Sequence, residues 1–127
     1  MELCREKKHI LILDKNTQIQ DAVDKFLANG KWDVSVTFNA DTVFEIAQIV
    51  KPDLIILDYL LVNNECEKIC LEFKNDRYLR TIPILVITAF RTKIVKARAY
   101  TCDALFIKPQ DIELLATAMD RYLWAAS

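Results

Sequence analysis

A chain of 127 residues suits one domain with its own core, and 53% hydrophobic against 28% charged residues reads as globular, not disordered. With 17 basic and 18 acidic residues the net charge is -1, so nothing marks the chain for nucleic acid, and no apolar run approaches the ~18–20 residues of a membrane span. The charged start, residues 1–8, precedes no signal-peptide core, so a cytosolic location is expected.

Taken in chain order, short apolar runs alternate with stretches of helical spacing. Residues 9–13 form a continuous apolar run of the kind buried on both faces of a parallel sheet. Ile19, Ala22, Val23, Phe26 and Leu27 make the stripe of a first helix, capped by Asn16 or Thr17 and closed at Gly30, the only glycine. Residues 32–38 alternate as a strand through Val34, Val36 and Phe38. A second helix starts at Asn39 or Asp41 and runs to about Val50, where Lys51-Pro52 breaks it. A strand follows at 54–57 and a third helix at 65–75, with Cys66, Ile69, Cys70 and Phe73 on its apolar face. Pro83 precedes a strand at 84–87, a short fourth helix is expected at 93–100, and a fifth strand at 105–107 ends in Lys108-Pro109. The last helix, 111–124, carries Ile112, Leu115, Ala116, Met119, Tyr122 and Leu123 on one stripe. Strict β-α alternation predicts a parallel sheet with helices on both faces. A single domain over 1–127 is expected, its core from residue 8 to about 125, with no output domain after the last helix.

The four cysteines, Cys4, Cys66, Cys70 and Cys102, do not suggest a disulfide framework in a chain of this size. Two thiols four residues apart fall short of a zinc site and differ from the redox C-x-x-C spacing, so structural or incidental thiols are expected.

Ligands of open α/β sheets gather beyond the carboxyl ends of the strands. Four apolar runs end in polar residues there: Asp14, Asp58, Thr88 and Lys108. Each alone is more readily a strand cap or a solvated side chain, but four at one rim suit phosphoryl chemistry on a carboxylate. An aspartate can carry a phosphoryl group as a nucleophile, and the three phosphoryl oxygens need donors and cations.

At these residues the chain resembles the receiver domains of two-component response regulators, the chemotaxis-type modules, over nearly its whole length. The matching stretches are HILILD at 9–14, PDLIILD at 52–58, PILVITA at 83–89 and ALFIKP at 104–109, in order, with about two residues fewer than usual before Lys108. The resemblance implies a flavodoxin-like (βα)5 three-layer sandwich, α/β, with a parallel five-stranded sheet in the order 2-1-3-4-5. It implies Asp58 as phosphoacceptor, and Asp14 and Asp58 with the backbone carbonyl of Leu60 as the Mg2+ site, where Asp14 would orient a metal-bound water. It implies that Thr88 follows the phosphoryl group, that Lys108 bridges phosphoryl and carboxylate, and that Lys108-Pro109 is cis. The implied partners are a histidine kinase or phosphotransfer protein and a downstream protein. A homodimer is possible through the fourth helix, fifth strand and last helix.

The pattern is broken in places. The usual second acid after the first strand is Lys15, which weakens the expected hold on magnesium. Its ammonium either points to solvent or enters the pocket in place of the metal; the first is favoured here. Leu61-Val62 replaces the usual Met-Pro, with Asn63 and Asn64 left to make the turn. The aromatic switch position falls on Leu105, and Phe106 should face the other side of the sheet. Leu60 and Phe90 are apolar beside the reaction plane, so a phosphoryl group on Asp58 is expected to be long-lived. The main alternative is a pseudo-receiver, a protein-binding module independent of phosphorylation. An enzyme such as a phosphohydrolase lacks an obvious base, and a single glycine rules out a Gly-rich nucleotide loop, so the chain is read as a non-enzyme.

Overall fold

The computed structural model describes residues 8–15, 32–59, 64–88, 103–107 and 112–124. Within them lie five strands, β1 (His9–Lys15), β2 (Asp33–Thr37), β3 (Leu54–Tyr59), β4 (Ile84–Thr88) and β5 (Ala104–Ile107), and three helices, α1 (Ala40–Val50), α2 (Asn64–Lys74) and α3 (Ile112–Trp124). The helices expected around residues 17–29 and 93–100 lie outside the described residues.

All strand pairs are parallel, and the sheet runs β2-β1-β3-β4-β5, as expected of a flavodoxin-like fold. The cause is readable in β3, where all six residues are buried. A strand covered on both faces has no polar side, and Leu54 to Leu57 supply none. Side chains alternate across the sheet, so two cores form. Leu11, Leu13, Ile55, Leu57, Tyr59 and Val86 pack with Val43 and Ala47 of α1 and Cys66, Cys70 and Phe73 of α2. Ile10, Ile12, Leu54, Ile56, Ile87 and Phe106 pack with Leu115, Met119 and Leu123 of α3. Leu105 packs on the first cluster and Phe106 in the second, as alternation requires.

Local chemistry fixes the ends of the elements. Asn39 caps α1: its backbone is extended and its Oδ1 accepts from the Asp41 N–H at 2.8 Å. Lys51 closes α1 in the left-handed conformation (φ 48°), donating its N–H to the Ala47 carbonyl at 2.8 Å, and Pro52 prevents continuation. In α2, Glu65 and Glu67 lie at the positive end of the helix dipole and Lys74 at the negative end. At the start of β4, the buried Ile84 N–H donates to Asp103 Oδ2 at 2.7 Å, and Lys74 Nζ reaches the same oxygen at 3.1 Å. One carboxylate thus ties α2, β4 and the start of β5 together.

Candidate functional site

The β1–β3 ladder builds the centre of the site. Asp14 and Asp58 are direct register partners on neighbouring strands, so their side chains leave the sheet on the same face, side by side. Both are buried, at 8% and 2% exposure, near the carboxyl ends of their strands. That face also carries Ile12 and Ile56 one step below, and Ile87 beside Asp58 in the β3–β4 register. The two carboxylates therefore stand at the lip of an apolar wall, where charge is poorly screened and its interactions are strong.

Both strands run one residue past their aspartates, to Lys15 and Tyr59, which pair with each other. This places Lys15 on the face opposite Asp14. Its side chain is exposed, and Nζ donates to the Phe38 carbonyl at 3.3 Å. The ammonium lies over the β2–α1 turn, the solvent-side placement of the two considered from the sequence.

Thr88 ends β4, fully buried, in register with Tyr59 and not with Asp58. It is on the same rim as the aspartates but one step further along, with the alternation of the opposite face. Ile107, the last described residue of β5, pairs with Thr88. Lys108, with Leu60, Phe90 and the Lys108-Pro109 bond, lies outside the described residues.

A contact missed in the sequence borders the site. The Tyr59 hydroxyl donates to Glu65 Oε1 at 2.5 Å, joining the residue after Asp58 to the first turn of α2. Burial first, and then the hydrogen bond and charge of Glu65, push the phenol far above its ordinary range. Only the polar handle of an aromatic next to an acidic helix start hinted at this pair in the sequence, and that signal is weak.

Asp14 and Asp58 are hard oxygen donors placed together, which fits a magnesium ion held by one or two carboxylates with water and substrate oxygens completing the shell. Among the described residues no group of three or more His, Cys, Asp or Glu gathers to form a fuller cage. Cys66 and Cys70 are buried free thiols in the α1–α2 core. The Cys66 thiol beside it holds Cys70 below its ordinary pKa, against burial, with Lys74 acting in the same direction.

The fold has counterparts among known proteins. Residues 10–120 match the family described as response regulator receiver domain. The chain is 30% identical over 108 residues to the response regulator ArlR of Staphylococcus saprophyticus, covering 84% of this chain and 48% of that one. It is 25% identical over 118 residues to the polar-differentiation response regulator DivK of Brucella anthropi, covering 91% and 96%. Among solved structures, the signal receiver domain of a signal transduction histidine kinase from Syntrophus aciditrophicus superposes with a TM-score of 0.77 at 23% identity, over 93% of this chain and 91% of that one. The chain spans 44 to 48% of the length of three curated relatives, ArlR among them.

Proposed function

The chain belongs to the response regulator receiver domain family, and from that premise we propose that it is a phosphorylatable switch whose acceptor is Asp58. The carrying observation is the buried, same-face pairing of Asp14 with Asp58 at the carboxyl rim of the sheet. A carboxylate oxygen of Asp58 attacks the phosphorus of a phosphohistidine on a kinase or phosphotransfer protein. An O–P bond forms, and the P–N bond breaks with its electron pair going to the imidazole. Asp14 holds the ordered water of the pocket, Thr88 donates to a phosphoryl oxygen, and Lys108 pairs with another. Magnesium, when bound by Asp14, Asp58 and the Leu60 carbonyl, supplies charge neutralisation for the entering phosphoryl group. Its affinity is low because Lys15 stands in place of an acidic ligand.

The proposal extends to a single receiver domain over 1–127 that works in the cytoplasm as a signalling module without turnover of its own. Among the described residues, no helix is long and apolar enough to cross a membrane. The downstream protein, or a second copy, meets β5 and α3, where Leu114 is an exposed apolar residue, together with the helix expected from the sequence around residues 93–100. A second reading, a pseudo-receiver that binds proteins without phosphorylation, is favoured by Lys15 and by the aliphatic Leu105 at the switch position.

Incubation with acetyl phosphate and magnesium, followed by intact mass, separates the two. A gain of one phosphoryl group in the wild type and none in Asp58→Ala supports the acceptor. No gain at any magnesium concentration leaves the pseudo-receiver.

A further inference from the structure

On the side of the sheet away from the carboxylates, α1 and α2 leave a groove of about 510 Å³ between them. Its floor is apolar, made by the half-buried Phe44 and the buried Ile69. Its walls are acidic: Asp41 and Glu45 rise from α1, Glu65 and Glu72 from α2, all exposed, with Lys68 the one basic residue lining it among the described residues. Four carboxylates against one ammonium stand out on a chain whose net charge is only -1. Among the described residues no hydrogen bond or ion pair engages the side chains of Asp41, Glu45, Lys68 or Glu72. The negative field is therefore not neutralised within this face.

An apolar floor between acidic walls complements a chain segment that carries lysine or arginine on both sides of an apolar side chain. A small cation gains little from exposed carboxylates one at a time. A polybasic segment meets several at once while burying its apolar residue, and so gains from both terms. Glu65 adds a connection: the carboxylate that lines the groove also accepts the hydroxyl of Tyr59, the residue next to Asp58. A basic side chain paired with Glu65 competes with that hydrogen bond.

We infer that the groove between α1 and α2 docks a basic, amphipathic segment of a protein partner, and that the Tyr59–Glu65 hydrogen bond links its occupancy to the neighbourhood of Asp58. The docking stands on the groove alone; the link rests on the phosphoacceptor reading.

The test titrates a synthetic peptide of lysine and leucine at helical spacing into the isotope-labelled full chain and follows amide shifts. A counterpart with glutamate for lysine is the control. Saturable shifts centred on residues 40–50 and 64–74, about tenfold weaker binding in Glu45→Lys/Glu72→Lys, and none with the acidic peptide support the docking site. Shifts scattered over the surface, or equal binding by the charge-reversed variant, overturn it. Phosphorylation by acetyl phosphate is then timed by mass with and without peptide. A peptide-dependent rate in the wild type that disappears in Tyr59→Phe supports the link, and an unchanged rate in a docked, phosphorylating protein overturns it. Absence of phosphorylation in any sample removes the acceptor reading and the link with it, and leaves the docking result standing.

Discussion

Tyr59→Phe removes one hydroxyl and keeps the ring, so its effect on stability can be worked out with its sign. The ring is 3% exposed, and the hydroxyl donates to Glu65, whose own side chain is exposed and regains water when the donor is lost. At neutral pH the variant therefore loses one hydrogen bond without stranding a buried acceptor, a cost of about 1 kcal/mol. At alkaline pH the sign reverses. The unfolded phenol ionises near pH ~10, while burial and Glu65 keep the folded one protonated well above that. The folded state then holds a proton that the unfolded state releases. Wild-type stability from this group is intact below pH ~10 and falls by ~1.4 kcal/mol for each pH unit above it, until the folded phenol itself ionises. Phenylalanine carries no such loss. The two stability curves should meet roughly 0.7 unit above the ordinary tyrosine value and cross beyond it. Urea unfolding followed by far-UV circular dichroism, from neutral pH to about pH 11, measures both limbs. Other tyrosines and the lysines titrate in both proteins and cancel in the difference. Parallel curves over the whole range would refute the reasoning, since they would mean that Tyr59 is not held protonated by its surroundings.

Asp103→Ala should cost about 2–3 kcal/mol in chemical denaturation, because it strands the buried Ile84 N–H and releases Lys74, whereas Asp103→Asn, which keeps an acceptor, should cost about half as much. Phe73→Ala should cost about 3–5 kcal/mol, since the ring is fully buried and lies 5.2 Å from Phe44, centroid to centroid. Lys51→Gly should stabilise by about 0.5–1 kcal/mol, as glycine accepts the left-handed φ of 48° that costs a side-chain-bearing residue, and Lys51→Val should do the opposite. Lys15→Asp should tighten magnesium binding by about threefold to tenfold in a calorimetric titration, the charge near the ion changing by two units but acting partly through screened solvent.

Much of the architecture was legible because buried parallel strands leave a plain mark. The apolar runs 9–13, 54–57 and 84–87 each fall inside an observed strand, and the stripe Cys66, Ile69, Cys70 and Phe73 is the buried face of α2. Of the two helix starts the sequence offered, Asn39 and Asp41, Asn39 is the cap: a short polar side chain before an apolar-periodic stretch serves the free N–H groups of a first turn. The strand ends were less legible. β1 and β3 continue past Asp14 and Asp58 to Lys15 and Tyr59 because ladder hydrogen bonds do not stop where hydrophobicity stops, whereas β4 ends at Thr88 as expected. One residue matters here, since the side-chain period is two. The sequence brings Asp14, Asp58 and Thr88 to one rim, but only the register shows that the aspartates share a row and that Thr88 belongs to the next one. The left-handed turn at Lys51 and the anchoring role of Asp103 had no local signature, because each depends on what the rest of the chain presents to it.

The same periodicity bears on Lys15. Lys15 directly follows Asp14 on a continuing strand, so its side chain starts on the other face, and only one that turns over the strand end reaches the Asp14–Asp58 row. β1 does continue, through the pairing of Lys15 with Tyr59, and the ammonium ends on the Phe38 carbonyl. It therefore neither fills the place of a cation between the carboxylates nor blocks one from entering. On the phosphoacceptor reading the lysine acts by subtraction: the pocket keeps two carboxylates on one face and lacks a third hard donor. A magnesium ion held by fewer protein oxygens would, on that reading, take more of its shell from the phosphoryl oxygens. On the phosphoacceptor reading, the ion and the phosphoryl donor then bind with positive coupling, and the coupling is the same whichever binds first. On that reading such a site would respond weakly to magnesium alone and strongly to magnesium with a phosphoryl group, and the lysine would make a switch more dependent on its donor without removing its acceptor.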